Sequence, residues 1–500
     1  MPAGPTTLID LLDEVVASDG DREAFVQRST SGTTERITFG ELAGGAAALA
    51  SWLVEDRGVH RGDVIGIMLP SGIDFAVAYH AIVRAGGIAT GINPRLGTNE
   101  VAHILQQSRP RFVFDGPLPE LVLDEYSARP PGSAASDPVA IVWTGGTTGM
   151  PKGAWFDHRC LEAMTLGAAP LSAFGDRRLS PLPFAHVGFM TRAWDELTNR
   201  ITTIIAPTPW TAAGTLELIA TESVTVCQGV PTQYRMMFDA AEFAGTDTSS
   251  VRLAGIGAAR IPPELVAEMH AKLCCPVVVR YTSTEACLAT GTRLGDPDEV
   301  VCTTVGRPNG GVELNVVDDA GHRVPTGEVG TVCLRSRAMM RGYWGEPDRT
   351  AEAIDTDGWL HTGDLGWVGT DGNLRLSGRR TEMYIRGGYN IYPIEVENCL
   401  GAHPGLAATA VLGAEVDDRL GEIGVLFAVT RAGHRPTLAD IRTFVKERLA
   451  DYKAPDVFVE IAELPLTSLG KVDKKTLQAR ARQEAGQWSR STPAAQPSGN

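Results

Sequence analysis

The sequence predicts an α/β protein: a large N-terminal body of several α/β subdomains with an added antiparallel β region, followed by a small, mobile α+β domain at the C-terminus. Short β-rich runs alternate with longer helical runs through most of the chain, and from about Val312 the pattern changes to period two. A glycine pair at 387–388 then separates a C-terminal segment with its own helix and strand signals. A chain of 500 residues also exceeds what one hydrophobic core normally serves, so two or more domains are expected.

The predicted elements follow in order. Leucine and valine recur at helical spacing from residue 8 to 16, behind Thr6 and Thr7 as caps, which predicts an opening amphipathic helix. Alternation then predicts helices at 46–54, 73–84, 101–107, 212–221, 232–241 and 262–273, and strands at 64–69, 111–114, 139–143, 202–205, 224–228, 253–257 and 277–281. Hairpin turns are predicted at 318–321 and 371–372. The last segment has its own helix and strand signals at 394–400, 409–412, 425–429 and 438–449.

These patterns predict the domain limits. The N-terminal domain covers residues 1–379, a charged segment at 380–386 is the hinge, and the small domain covers 387–485. Residues 486–500 are rich in Ser, Pro, Ala and Gln and are expected to be a disordered tail.

The composition limits the classes of partner that this protein is expected to bind. A formal net charge of −15 argues against a nucleic acid or an anionic membrane, because both require a basic face. No apolar run is long enough for a membrane span, and no basic stretch precedes the first apolar one, so a cytoplasmic location is expected. The eight cysteines include no C-x-x-C pair, which favours free thiols over disulfides or zinc ligands.

The most informative segment is WTGGTTGMPKG at 143–153, which follows a predicted buried strand. Its backbone N–H groups, hydroxyls and single lysine, Lys152, are the chemistry of a phosphate-binding loop. It is not a Walker A loop, because Pro151 precedes the lysine and Gly153 follows it. The segment instead resembles, almost letter for letter, the phosphate loop of the adenylate-forming superfamily, which includes acyl-CoA synthetases, peptide-synthetase adenylation domains and luciferases.

The resemblance extends over nearly the whole chain, because further motifs of this family recur in the family's order. It assigns nucleotide-binding roles to the loop residues Thr144, Gly145, Gly146, Thr147, Thr148, Gly149 and Lys152. The segment PFAHVG at 183–188 is similar to the acyl-site segment, in which His186 borders the carboxylate pocket. The segment GIGAA at 255–259 resembles the surface on which adenine lies, formed by Gly257, Ala258 and Ala259.

A third motif supplies the phosphate and metal ligands. In YTSTE at 281–285, the resemblance places Tyr281 at the nucleotide, Thr284 at the α-phosphate and Glu285 on Mg²⁺. Glutamate suits this ion, since Mg²⁺ takes few protein carboxylates and completes its octahedron with phosphate and water. Thr282 stands where the family usually has glycine, and its side chain is expected near the acyl pocket.

The remaining motifs concern ribose, hinge, thiol and catalysis. In HTGD at 361–364 and GRRTE at 378–382, the resemblance assigns Asp364 and Arg379 to the ribose and Thr381 to the hinge, where many relatives have Asp or Lys. In RGGYNIYP at 386–393, Gly387 and Gly388 would line the tunnel for the pantetheine chain. In PLTSLGK at 465–471, Lys471 would be the catalytic lysine of adenylation.

The resemblance implies an AMP-forming acyl-CoA synthetase that uses ATP, Mg²⁺ and coenzyme A on a carboxylic acid. Amino-acid-activating relatives have an Asp near PFAHVG, and its absence here favours an acid without an α-amine. Alternatives are a ligase that loads a carrier-protein thiol, a half-enzyme that only thioesterifies a preformed acyl-adenylate, and an adenylate-binding regulator without turnover. Phe189, Trp194, Tyr234 and Cys287 are candidate apolar pocket residues, and a homodimer is compatible with the sequence, which fixes neither the acyl group nor the oligomeric state.

Overall fold

The computed structural model describes residues 6–28, 32–120, 133–144, 150–257, 261, 263–386, 389–417, 421–467 and 471–491. The chain divides into two compact units. Unit 1 comprises Met1–Asn315, Cys333–Thr362 and Asp371–Leu374, and unit 2 comprises Val316–Val332, Gly363–Thr370 and Arg375–Asn500. The domain limit at 379/380 stays a prediction.

The helices confirm most of the predicted helical segments and extend several of them. Their bounds are α1 Leu8–Asp19, α2 Phe39–Glu55, α3 Ile73–Arg84, α4 Thr98–Ser108, α5 His158–Ala168, α6 Val187–Met190, α7 Ala193–Thr198, α8 Ala212–Thr221, α9 Pro231–Asp239, α10 Pro263–Leu273, α11 Asp298–Thr303, α12 Pro347–Ala353, α13 Pro393–Gly401, α14 Leu438–Lys446 and α15 Lys474–Ser491.

The strands likewise include every predicted one. Their bounds are β1 Glu23–Arg28, β2 Thr34–Thr38, β3 Val64–Ile67, β4 Ile88–Gly91, β5 Phe112–Phe114, β6 Pro138–Thr144, β7 Lys152–Asp157, β8 Arg177–Ser180, β9 Thr202–Ile205, β10 Val226–Gly229, β11 Leu253–Gly257, β12 Val277–Ser283, β13 Cys287–Gly291, β14 Arg307–Pro308, β15 Val312–Val317, β16 Gly330–Ser336, β17 Gly342–Tyr343, β18 Leu360–Val368, β19 Leu374–Arg379, β20 Tyr384–Arg386, β21 Tyr389–Ile391, β22 Leu406–Asp417, β23 Gly421–Thr430 and β24 Val457–Glu460.

Two large sheets lie in unit 1. A nine-stranded sheet has the order β14-β13-β12-β11-β10-β8-β9-β1-β2, and a six-stranded sheet has the order β17-β7-β6-β4-β3-β5. Strands β8, β10, β11 and β12 are parallel neighbours, so their carboxyl ends open at the same edge of the nine-stranded sheet. Ligands of such sheets generally bind at that edge.

The opening helix shows how local sequence fixes an element. Thr7 caps α1 in a capping box with Asp10, and the buried face consists of Leu8, Leu11, Leu12 and Val15, as the spacing predicts. The helix is also anchored from outside, because the backbone N–H of Leu8 donates to Nδ1 of His158 at 3.0 Å.

Unit 2 contains a sheet in which β20, β21, β22, β23 and β24 take part. Alternate residues of β22 and β23 point to opposite faces, and each face is covered. Val411 and Leu426 pack with α13 and α14 residues such as Val396 and Ile441, whereas Leu412 and Phe427 pack in a second cluster with residues of α15.

Two differences from the sequence predictions have simple causes. The antiparallel pair β1–β2 has no predicted counterpart, because its second strand, TERIT, carries two charged residues and is largely exposed. The tail prediction was wrong for residues 486–491, which continue α15, because Ala481, Ala485 and Trp488 of that helix pack against the sheet of unit 2. Residues 492–500 lie outside the described part of the chain.

The predicted turns are present. Asp318 N–H donates to His322 O at 2.9 Å across the turn at 318–321, where Gly321 has a φ of 82°. Gly372, between β18 and β19, has a φ of 75°. The eight cysteines all lie in the described part of the chain and form no disulfide. In the portion of the chain that is described, no helix is both long and apolar enough to cross a membrane.

Candidate active site

The phosphate-loop segment joins two antiparallel strands of the six-stranded sheet. Strands β6 and β7 pair with Thr144 opposite Lys152, so both residues stand at the mouth of the connection between them. The predicted loop residues Gly145, Gly146, Thr147, Thr148 and Gly149 lie outside the described residues. The structure therefore places the two flanks of the loop, and the roles of the residues between them stay predictions.

The YTSTE motif forms a tight turn at the carboxyl end of β12. Strands β12 and β13 pair with Ser283 opposite Cys287, which leaves Thr284, Glu285 and Ala286 in the turn. The backbone N–H of Ala286 donates to Ser283 Oγ at 3.0 Å and fixes this turn. Thr284 is buried and Glu285 is half-buried, so the carboxylate is held near the surface by a rigid hairpin.

Tyr343 connects these two motifs, although it belongs to none of the sequence motifs described above. Its hydroxyl donates to Glu285 Oε1 at 2.9 Å, and its ring lies under Lys152, with Nζ 5.1 Å from the ring centroid. Strand β17 brings it there by pairing with β7, with Tyr343 opposite Ala154. Burial, with the nearby charge of Glu285, raises the pKa of Tyr343, so the hydroxyl stays a donor at all ordinary pH values.

Glu285 is suited to a Mg²⁺ ion that keeps phosphate and water ligands, and not to a metal site closed by protein side chains. Within the described residues there is no group of three His, Cys, Asp or Glu side chains that could hold a metal. Glu285 would thus be a single protein carboxylate, which fits an ion that keeps phosphate and water among its ligands.

A cavity opens at the carboxyl ends of β8, β10, β11 and β12. It encloses about 940 Å³, counting the part open to solvent, and is lined by His186, Thr282, Gly257 and Cys287 among others. His186 caps the short helix α6, and its Nδ1 accepts from Gly188 N–H at 3.3 Å, which leaves the proton on Nε2. The predicted acyl-site residues His186 and Thr282 therefore do share one pocket.

Gly257 is required by the close approach of two strands. It lies opposite Arg280 in the β11–β12 pair, and a Cβ at this position would collide with the carbonyl oxygen of Arg280. Tyr281, the next residue of β12, is buried. Ala258 and Ala259, the other predicted adenine-contact residues, lie outside the described residues.

Of the four apolar pocket candidates, only Cys287 belongs to the cavity lining. Phe189 stacks on Phe184 in the core, with ring centroids 3.7 Å apart, and Trp194 is buried in α7. The Tyr234 hydroxyl donates to the carbonyls of Cys227 and Gly255. These three side chains stabilise the unit and do not line the cavity.

Unit 2 brings the two predicted ribose residues together. Asp364 lies on β18 and is buried, and Arg379 ends β19 and donates from Nε to Asp364 Oδ1 at 3.1 Å. The two motifs are separated in sequence, and the guanidinium holds the carboxylate in place.

The hinge and catalytic-lysine candidates of unit 2 are both exposed. Thr381 lies in the exposed turn between β19 and β20, in which Arg379 O accepts from Glu382 N and Met383 N. Lys471 is exposed, and its carbonyl accepts from Thr467 N at 2.7 Å. Gly387 and Gly388 lie outside the described residues.

Two family models of known proteins match the chain. Residues 12–344 match the family described as AMP-binding enzyme, and residues 395–471 match the AMP-binding enzyme C-terminal domain.

Characterised relatives cover most of the chain. A 3-[(3aS,4S,7aS)-7a-methyl-1,5-dioxo-octahydro-1H-inden-4-yl]propanoyl:CoA ligase of Mycobacterium tuberculosis is 33% identical over 93% of this chain and 97% of its own length. The fatty acid–[acyl-carrier-protein] ligase ScoC of Streptomyces coeruleorubidus is 33% identical over 79% of this chain and 82% of its own length.

The fold is shared as well. The ATP-bound structure of MatB from Rhodopseudomonas palustris superposes with a TM-score of 0.84 at 26% identity, covering 94% of this chain and 98% of that one. With the fold, the order of motifs and these relatives in agreement, the chain belongs to the AMP-binding, adenylate-forming enzyme family.

Proposed function

We propose that this protein is an AMP-forming acyl-CoA synthetase whose two half-reactions are carried by the residues described above. A carboxylic acid reacts with ATP to give an acyl-adenylate and pyrophosphate, and the thiol of coenzyme A then displaces AMP. The main observation behind the proposal is that Tyr343 contacts both Lys152, at the flank of the phosphate loop, and Glu285, in the turn after β12.

In the first half-reaction a carboxylate attacks a phosphate, and both groups are anions. The residues of the protein therefore act by positioning the two reactants and by neutralising their negative charge. Lys152 and the loop from Thr144 onward bind the phosphate oxygens, and Thr284 contacts the α-phosphate. Glu285 would hold Mg²⁺, and the ion would supply neutralisation of the phosphate charge. The carboxylate of Asp364, kept in place by Arg379, accepts from the ribose hydroxyls.

The acyl acid occupies the cavity beside His186 and Thr282. Among the described residues that line it, the one carboxylate is Glu196, and its Oε1 already accepts from Arg178 Nη2 at 2.6 Å. A substrate ammonium would therefore find no available carboxylate in this lining. An acid without an α-amine fits the cavity better.

Gly387 and Gly388 line the path of the thiol in the second half-reaction, after a rearrangement about Thr381. A second candidate acceptor is the thiol of a carrier protein, because the relative ScoC is named as an acyl-carrier-protein ligase. Comparing free coenzyme A with a phosphopantetheinylated carrier protein as acceptor separates the two.

The role of Lys471 provides the test. Lys471→Ala should lower acid-dependent pyrophosphate exchange by about 10²–10³-fold, because one pre-organised cation is removed from the phosphate and the acyl carboxylate. Formation of acyl-CoA from a supplied acyl-adenylate should remain close to wild type. Lys475→Ala, which changes another exposed lysine nearby, is the matched control and should leave both rates unchanged.

Equal loss of both half-reactions in Lys471→Ala would contradict the role of this lysine. Absence of exchange in the wild type with every acid, together with acyl-CoA formation from supplied acyl-adenylate, would identify a thioesterifying half-enzyme. Absence of both reactions would overturn the proposed function.

A further inference from the structure

The wall of the acyl cavity contains four charged side chains beside its apolar residues. They are Arg178, Arg192, Glu196 and Arg280, and all four are buried. Burying a charge is costly unless it is paired, so each of these side chains requires a partner.

Two of the arginines are fully paired within the protein. Arg178 donates to Asp195 Oδ2 at 3.0 Å and to Glu196 Oε1 at 2.6 Å, and Arg192 donates through Nη2 to Asp195 Oδ2 at 2.6 Å. Ser172 Oγ and Asn199 Nδ2 complete the shell around Asp195 at 2.8 and 3.0 Å. Burial raises the pKa of Asp195, but the charges of Arg192 and Arg178 outweigh it, so the net pKa lies below the ordinary value.

Arg280 differs from them, because no carboxylate among the described residues pairs with it. Its Nη1 donates to Thr292 O at 3.0 Å and its Nη2 to Ala169 O at 2.9 Å, while Nε is buried without a hydrogen-bond partner. The nearby charges acting on it are Arg192 and Arg293, both positive. Burial, followed by these two charges, lowers the pKa of Arg280 to about 10.

A purely structural role explains only part of this arrangement. Holding two backbone carbonyls would explain Nη1 and Nη2, and Gly291 makes room for the side chain, since a Cβ there would collide with Nη1. It does not explain why a full positive charge is buried at the cavity wall. Three arginines, Arg178, Arg192 and Arg280, face two carboxylates, Asp195 and Glu196, so one positive charge in this cluster is uncompensated.

We propose that the missing charge is supplied by the substrate: the acid that this enzyme activates carries a second carboxylate, which occupies the part of the cavity beside Arg280. This inference rests on the proposed function, since it names the class of acid for the same site. His186 and Thr282 mark the end of the cavity at which the first carboxyl group is activated, and the distal carboxylate restores neutrality to the cluster.

The inference is tested with three sets of acids of matched length: linear dicarboxylic acids, their monomethyl esters and monocarboxylic acids with a methyl end. The wild type should show a kcat/KM for acyl-CoA formation at least about tenfold higher for the dicarboxylic acids, because a hydrogen-bonded charge pair typically contributes this much or more. Arg280→Gln should lose this preference while keeping activity on the methyl-ended acids, and Arg280→Lys, which keeps the charge, should retain part of it.

Arg293→Gln is the matched control, because Arg293 is exposed yet near enough to influence Arg280, and it should leave the preference unchanged. A wild type that prefers the methyl ester or methyl-ended acids overturns the inference, whether or not Arg280→Gln folds. A uniform loss on all acids in a folded Arg280→Gln also overturns it, because it indicates a structural role. Turnover of monocarboxylic acids alone leaves the proposed function intact, whereas no turnover of any acid contradicts the proposed function itself.

Discussion

At the scale of single residues, Tyr343 is the side chain that joins the phosphate-loop flank to the candidate metal ligand. Tyr343→Phe removes the hydrogen bond to Glu285 and keeps the ring that lies under Lys152. We expect pyrophosphate exchange to fall by about tenfold at low Mg²⁺ and to recover partly at high Mg²⁺, because a carboxylate that has lost its orienting donor binds the ion less well. The measurement is the exchange rate as a function of Mg²⁺ concentration.

Tyr384→Phe is the control for this substitution. The Tyr384 hydroxyl is buried without a hydrogen-bond partner in the described part of the chain, so its removal breaks no hydrogen bond. An identical Mg²⁺ dependence for wild type and Tyr343→Phe would show that Tyr343 does not orient Glu285.

The residue scale also shows what sequence reasoning can and cannot find. Lys152 stands out because it lies in a string of small and hydroxyl residues that follows a strand, whereas Thr284 and Glu285 are found only through the resemblance of YTSTE to a motif of the family. Tyr343 gives no such signal, because its importance arises from the pairing of β17 with β7, strands that are distant in the sequence. Arg280 gives no signal in the sequence either. The segment VVVRYTS indicates neither that this arginine is buried nor that it has no carboxylate partner among the described residues.

At the scale of elements, periodicity predicts secondary structure well where one face is buried. The bounds of α3, α8, β9 and β11 agree with the predicted segments to the residue. The pattern fails for β2, which is exposed, and for the end of α15, whose alanines gain stability only by packing on the sheet of unit 2. Tertiary contacts decide such elements, and no local signal reports them.

The docking of α1 on α5 gives a prediction for pH dependence. His158 is buried and accepts from the Leu8 N–H, and burial lowers its pKa from 6.5 to about 4, although nearby carboxylates partly offset this. The folded state therefore binds this proton less readily than the unfolded state. The associated stability is present above pH 6.5 and is lost as the pH falls towards 4, with a total on the order of 3 kcal/mol.

His158→Asn keeps an acceptor for Leu8 and cannot take up the proton. The free energy of unfolding, measured with urea from pH 7 to 4, should fall less steeply for this variant than for the wild type. His322→Asn, at a side chain that is 82% exposed, is the control and should follow the wild type. Parallel pH profiles for His158→Asn and wild type would mean that His158 is not the group that titrates.

At the scale of the whole molecule, the candidate residues are divided between the two units. Thr144, Lys152, Thr284, Glu285 and Tyr343 belong to unit 1, whereas Asp364, Arg379 and Lys471 belong to unit 2. In the proposed mechanism, adenylation uses candidate residues of both units, and the thiol step uses the segment at 387–388. A chain that uses different parts of one unit in successive steps needs a point about which that unit can change its orientation.

The turn that contains Thr381 is the candidate pivot for this change of orientation. A proline in the turn would restrict its backbone. Proline at 381 would fix φ near −65° and restrict the residue before it, so the backbone dihedrals of the turn could no longer change freely. Thr381→Pro should slow acyl-CoA formation from a supplied acyl-adenylate, on the order of 10²-fold if the thiol segment is displaced from its working position. Pyrophosphate exchange should be affected far less, and Thr381→Ala should behave like the wild type in both assays. Because the two half-reactions are measured on the same purified protein, equal slowing of both would indicate a general distortion of unit 2, and unchanged rates in both would place the pivot elsewhere in the chain.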